Sequence, residues 1–210
     1  MTMIDRLVLL ATGLVAIYLI YRFIQDYKNK NKPVYDIYYI ISFAVLLVSC
    51  LLLIFLGWNI LPLPSVIVVT TLLPMGIATG LIHEFYPQYG KKYLIFAIVG
   101  IVLIALTRFT NAGALATVAL AVFHSIAGLT IFFAPILVTK ANKAPGGFIF
   151  VTIGGVLIGL GGIALAFLKS GSQLLFFSAD FVMTILAPLL LLMTLAYTWG
   201  FVKKILADKK

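Results

Sequence analysis

The chain has 210 residues, of which 63% are hydrophobic and 10% are charged, whereas soluble domains are about one quarter charged. This composition excludes an ordinary soluble protein. The formal net charge of +9 falls in short segments between apolar runs, so we interpret it as a membrane-topology signal and not as a nucleic-acid surface. The single cysteine, Cys50, excludes an intramolecular disulfide and a cysteine-rich metal site.

Seven apolar runs follow one another along the chain, separated by short segments rich in charged, polar or turn-forming residues. Most approach or exceed the roughly 20 residues that a helix needs to span a bilayer. They cover residues 7–24, 37–57, 64–82, 93–107, 112–138, 148–168 and 181–202. We therefore predict an all-α integral membrane protein, a seven-transmembrane-helix bundle that forms a single domain over residues 1–210 in contact with the lipid bilayer.

The basic residues predict the orientation of these helices. Only Arg6, Arg108 and Lys169 fall on one side, and the other twelve fall in the alternate connections. They are Arg22, Lys28, Lys30, Lys32, Lys91, Lys92, Lys140, Lys143, Lys203, Lys204, Lys209 and Lys210. Because Lys and Arg concentrate in cytoplasmic loops, we predict the N-terminus outside and the C-terminus in the cytoplasm, in a prokaryotic plasma membrane.

The tyrosines give a second signal. All ten fall in the cytoplasmic half of this topology, and Trp199 joins them there. Since the amphipathic tyrosine ring is enriched at headgroup level, we expect these side chains to anchor the bundle at the interface.

The sixth run contains glycines at helix-packing spacing. Gly155 and Gly159 lie four residues apart, and Gly162 follows close behind. Such spacing lets two helix backbones touch in lipid. A phosphate-binding loop is excluded, because such a loop opens a helix after a strand and ends in Gly-Lys-Ser or Gly-Lys-Thr. These glycines lie inside an apolar run, and the Lys169-Ser170 pair that follows it is preceded by Leu168. We predict a helix–helix contact, either with another helix of the chain or with a second protein.

His124 is the deepest ionisable group of the predicted bundle, near mid-membrane. An imidazole at this depth is a haem ligand, a proton carrier or a hydrogen-bonded partner of a neighbouring helix. Met193 lies at a similar depth in the seventh run, and His/Met is a known pair of axial haem ligands. His124 and Met193 are therefore the metal-ligand candidates, although methionine is far more often a packing residue.

Two further groups carry charge at the predicted interfaces. His83 and Glu84 end the third run on the cytoplasmic side, while Arg108, Lys169 and Asp180 lie at the outer ends of three runs. The outer three either remain solvated or form a small vestibule for anions or protons.

The sequence contains no catalytic motif that fixes a reaction, and it assigns no cofactor. Our first hypothesis is a non-enzymatic accessory or assembly subunit of a larger membrane complex, one that handles electrons or protons, with partner membrane subunits or further copies of itself. The alternative is a small transporter or channel for protons, ions or a small solute, with His124 along the path. A third hypothesis is a lipid- or quinone-modifying enzyme that uses His83 and Glu84 near Lys91 and Lys92.

Overall fold

The computed structural model describes residues 1–169 and 178–208, and their side chains except those of 163–169, 179 and 180. These residues are helical, and they contain no strand. The helices are α1 (Met3–Asn29), α2 (Val34–Leu56), α3 (Pro64–Phe85), α4 (Pro87–Phe109), α5 (Ala114–Lys140), α6 (Phe150–Lys169) and α7 (Ala179–Ala207). Short 3-10 turns lie at Trp58–Ile60 and Gly146–Ile149.

Within the described residues, six helices, α1 to α5 and α7, are long and apolar enough to cross a membrane. Their outward surfaces carry large apolar side chains, which in water would be an aggregation liability and in lipid are expected. The chain is therefore an integral membrane helical protein in contact with lipid. The prediction of an all-α bundle is confirmed, and the seventh span stays a prediction.

The helices extend beyond the apolar runs because caps, and not hydropathy, set their ends. At the start of α1, the Thr2 hydroxyl accepts from the Asp5 backbone N–H at 3.1 Å and the Asp5 carboxylate accepts from the Thr2 N–H at 2.7 Å. This reciprocal pair is a capping box. At the start of α4, Pro87 occupies the first turn, where its missing N–H costs nothing. The fourth run, predicted from residue 93, thus becomes a helix that starts one and a half turns earlier.

Six helices form a closed ring. Consecutive helices pack together, α3 packs against α5, and the ring α1–α2–α3–α5–α6–α7 closes between α7 and α1. Helix α4 lies outside the ring against α3 and α5. The end of α1, the start of α2 and the ends of α3 and α7 therefore lie at one end of the bundle, which we call the charged end.

Aromatic side chains fill the ring near the charged end. The ring of Tyr39 lies 4.9 Å from that of Phe23 and 4.7 Å from that of Phe201, between centroids. Phe43 and Tyr197 continue this aromatic cluster, with centroids 5.8 Å apart. Tyr39 and Tyr197 are each only 1% exposed, so the prediction of interfacial anchors is wrong for these two. Their rings fill space between helices, where a buried aromatic side chain contributes most.

Candidate functional site

The charged end gathers most of the acidic residues of the protein. The chain contains six acidic residues, and four of them meet here with two lysines. We call this set the charge cluster: Asp26, Lys30, Asp36, Glu84, Lys204 and Asp208. Four carboxylates face two ammonium groups, so the cluster has two more acidic than basic groups.

The centre of the cluster is an ion pair between Lys204 of α7 and Glu84 of α3. The two side chains are only 7% and 5% exposed. The Tyr39 hydroxyl donates a hydrogen bond to Glu84 Oε2 at 2.8 Å, and the Lys204 ammonium lies 5.1 Å from the centre of the Tyr35 ring. A buried ion pair is costly to desolvate, and losing one partner leaves an uncompensated charge. This contact therefore ties α2, α3 and α7 together.

Lys30 lies directly after α1, at the edge of the charge cluster. Its Nζ lies 2.9 Å from Asp26 Oδ2 and 2.6 Å from Asp208 Oδ2, and Asp208 also lies 3.1 Å from Lys204 Nζ. Partial burial opposes the charged form of Lys30, but hydrogen bonds to Asp208 and Asp26 raise its pKa overall. Partial burial also opposes ionisation of Asp208, but Lys30 and Lys204 lower its pKa overall.

Asp36 is the carboxylate that lacks a counter-ion. It is 1% exposed, and among the described residues it forms neither an ion pair nor a side-chain hydrogen bond, with Oδ2 fully buried. Asp26 Oδ1 is also buried without a hydrogen-bond partner there, and the charges of Asp26, Lys204 and Lys30 all reach Asp36.

Two effects act on an Asp36 anion in opposite directions. Asp36 lies in the first turn of α2, where the helix dipole favours an anion by about 0.3–1 kcal/mol. Burying an ion costs several kcal/mol unless a partner offsets it. The burial term is the larger, so Asp36 is the least compensated group of the cluster.

His83 and Glu84, which the sequence suggested as one site, point to different neighbours. His83 Nδ1 lies 2.9 Å from the Thr79 carbonyl oxygen, to which it donates, and its ring lies 4.8 Å from that of Tyr38. A Cβ atom at Gly90 of α4 would lie 2.9 Å from the imidazole. His83 therefore fills the contact of α3 with α2 and α4, on another side of the helix from the Glu84 ion pair.

His124 lies half-buried on α5. Its Nδ1 is buried and has no hydrogen-bond partner among the described residues. Met193 is fully buried in α7, whereas α5 packs mainly against α3, α4 and α6. The structure thus does not bring His124 and Met193 to a shared helix contact. The described residues also contain no group of three or more His, Cys, Asp or Glu side chains placed to hold a metal.

The glycines of α6 differ in their surroundings. A Cβ atom at Gly155 would lie 2.7 Å from Ile131 Cγ2 of α5, so the two helices touch here. Gly159 and Gly162 are exposed, and a Cβ atom there would meet no atom of the described residues within 4 Å. Gly128 of α5 is exposed and open in the same way. Beyond the Gly155 contact, α5 and α6 therefore present uncovered glycines.

The outer set of charges is described only in part. Arg108, in the last turn of α4, has a buried Nε without a hydrogen-bond partner among the described residues. The side chains of Lys169 and Asp180 lie outside the described residues. The vestibule stays a prediction.

Sequence reasoning missed Asp26, Asp36 and Lys204 as members of a site. Each continues the three- and four-residue spacing of the buried face of its helix, but it is the structure that shows which face is buried. Asp26 follows Phe23 by three residues, Asp36 precedes Tyr39 by three, and Lys204 follows Phe201 by three.

Comparisons with protein families, with curated proteins and with solved structures give no match to this chain. Its class therefore follows from fold and site alone. It is a helical integral membrane protein with a closed ring of helices and a buried charge cluster at one end.

Proposed function

We propose that the chain crosses the membrane seven times, with the N-terminus outside and the charged end in the cytoplasm. The distribution of Lys and Arg supports this orientation. Trp199, which is 52% exposed near the charged end with the Lys203 ammonium 4.8 Å from its ring centre, supports a membrane–water interface at that level. An exposed tryptophan of this kind is typical of a membrane–water interface.

Cysteine labelling in whole cells tests this topology. Cys50 is the only cysteine and is buried, so the background is low. An impermeant maleimide should label Thr110→Cys, between α4 and α5, in intact cells. It should label Lys32→Cys, between α1 and α2, only after permeabilisation. Labelling of Lys32→Cys in intact cells contradicts the orientation.

Within this topology, we propose a non-enzymatic accessory or assembly subunit of a larger membrane complex. The observation that carries the proposal is the set of uncovered glycines, Gly128 on α5 and Gly159 and Gly162 on α6. A glycine inside a helix costs about 0.5–1 kcal/mol relative to alanine. In lipid, small residues such as glycine allow another helix to approach closely. The partner is a helix of another subunit or of a second copy.

Bulky substitutions on these faces test the assembly. Gly159→Leu and Gly128→Leu should remove the larger species on native gels of mildly solubilised membranes, with the melting temperature unchanged. Val156→Leu, an exposed position on α6, is the matched control and should leave the assembly intact. A chain that runs as a monomer from native membranes, or an assembly indifferent to both glycine variants, contradicts the proposal.

The hypothesis that this subunit belongs to an electron-handling complex has an independent test. If His124 ligates haem together with a partner subunit, the purified complex shows a Soret band that His124→Gln removes. A colourless complex eliminates haem and leaves His124 as a structural or proton-carrying side chain.

A transporter of protons or small ions is the second candidate, and the charge cluster favours it. Ionisable groups inside a membrane bundle are expensive, and they often mark ion or proton pathways. The proposal predicts that the reconstituted chain dissipates a pH or ion gradient across liposomes and that Asp36→Asn abolishes the flux. Liposomes that hold their gradient with the wild-type chain exclude it.

The enzyme hypothesis has no comparable support. Glu84 is held by Lys204 and Tyr39, and His83 faces α2 and α4. Lys91 and Lys92 are exposed at the start of α4. These side chains do not converge on one reacting point.

A further inference from the structure

We propose that Asp36 is a proton-binding site, at which the folded protein at neutral pH holds one proton taken from water at the charged end. This goes beyond the proposed function, because it concerns the chain itself and is independent of any partner subunit.

The inference rests on how the other carboxylates of the cluster are compensated. Glu84 has Lys204 and the Tyr39 hydroxyl. Asp208 has Lys30 and Lys204, and Asp26 has Lys30. Asp36 has no cation within ion-pair distance among the described residues, although it is among the most deeply buried of the four. A proton neutralises such a carboxylate without displacing a helix.

The ionisable groups that act on Asp36 come from α1, α2 and α7. They are Asp26 of α1 with Lys30 after it, Tyr35 and Tyr39 of α2, and Lys204 of α7 with Asp208 after it. From α3, Glu84 is paired with Lys204 and Tyr39. The two lysines are already shared among three carboxylates. Their charge therefore compensates the Asp36 anion only in part, while the neighbouring Asp26 and Asp208 repel it.

Proton binding here is a simple balanced step. One Asp36 carboxylate oxygen takes one proton from a hydronium ion, so that one O–H bond of hydronium breaks, one O–H bond forms on Asp36 and a water molecule is released. The neutral acid removes one of the two surplus negative charges of the cluster. It also supplies a donor in a region where Asp26 Oδ1 and Asp36 Oδ2 are buried without partners.

The sign of the pH effect follows from this step. The unfolded chain releases the proton at neutral pH and the folded chain keeps it, so folding is favoured less as the pH rises. The folding equilibrium constant should fall by up to about tenfold per pH unit over the pH range in which the unfolded chain has released this proton and the folded chain still keeps it. Asp36→Asn, which mimics the neutral acid, should remove this dependence.

Infrared spectroscopy of the full chain in lipid bilayers tests the proposal directly, because a protonated carboxyl and a carboxylate absorb separately. The chain has five aspartates and a single glutamate, Glu84, so aspartate labelled with 13C in the carboxyl group separates the two residue types. At pH 7 the wild-type protein should show one protonated-carboxyl band that shifts with labelled aspartate. Asp36→Asn should remove the band, and Asp5→Asn, at the start of α1 outside the charge cluster, is the control and should keep it.

A second variant keeps the test decisive if Asp36→Asn does not fold. Asp36→Glu should retain the band but make it insensitive to labelled aspartate. The proposal is overturned if the folded wild-type protein shows no protonated-carboxyl band at pH 7, if labelled aspartate leaves the band unshifted, or if the band survives in Asp36→Asn.

Discussion

Replacing Lys204 by methionine should be among the most damaging single changes at the charged end. Methionine keeps most of the length of the side chain but removes the ammonium that faces Glu84, both side chains being nearly inaccessible. Among the described residues, the buried Glu84 charge would then keep only its hydrogen bond from the Tyr39 hydroxyl. Breaking a buried pair from one side costs about 3–5 kcal/mol, a large fraction of a typical stability of about 5–15 kcal/mol.

The measurement is the free energy of unfolding in mixed micelles, with Lys203→Met as the matched control. Lys203 is the adjacent residue, is exposed and lies over Trp199, so its loss should cost less than about 1 kcal/mol. The double variant Lys204→Met with Glu84→Gln should recover most of the loss, because a neutral amide still accepts from Tyr39 and needs no cation. Equal effects of Lys204→Met and Lys203→Met, or no recovery in the double variant, would refute the reasoning.

Two further predictions concern packing and acid stability. Gly200→Ala should destabilise the fold by about 1–3 kcal/mol, because its Cβ would lie 2.9 Å from the Val151 backbone nitrogen. Gly128→Ala, whose Cβ would meet open space, should be neutral or should stabilise the fold by about 0.5–1 kcal/mol. Thermal melting measures both effects. Because the pKa of Asp208 is lowered from its ordinary value of 3.8, its contribution is present above that value and is lost as the pH falls through the folded pKa. The raised pKa of Lys30 gives a contribution that is complete below 10.5 and lost at higher pH. Asp208→Asn should therefore flatten the acid limb of a stability profile by less than about 1 kcal/mol, and high salt should have the same effect.

The number and order of the helices could be predicted from the sequence because hydrophobic length is a direct physical requirement of the bilayer. The run at 37–57 differs from α2 by three residues at its start and one at its end. The larger errors in the predicted helix bounds fall where polar residues continue a helix, as at Pro87 to Lys92. Hydropathy indicates whether a segment prefers lipid or water, and it does not indicate which residues form helical backbone hydrogen bonds. Cap residues were the better guide there.

The charge cluster could not be assembled from the sequence, because its members come from four separate segments. In a soluble helix the polar face shows which side is buried. A helix that faces lipid is apolar all round, so the pattern around Phe23 or Tyr39 does not distinguish a side that faces the ring from a side that faces lipid. The count of basic residues added a second difficulty. Lys204 was counted as one of twelve orientation signals, whereas its side chain is buried against Glu84.

A lysine that orients a helix and a lysine that stabilises the fold differ in the energetic cost of placing their ammonium group. A lysine at a cytoplasmic helix end costs little when its ammonium reaches the headgroup region, and Lys203, exposed over Trp199, is placed to do so. Lys204, one residue later, points into the ring instead, and it is compensated there because α3 brings Glu84 to the same level and Asp208 lies one turn further along the chain. The charge at this end of the bundle therefore has two roles. In the proposed topology the exposed lysines orient the helices, while Lys204 and the carboxylates around it hold α2, α3 and α7 together and leave Asp36 as the proposed proton-binding group.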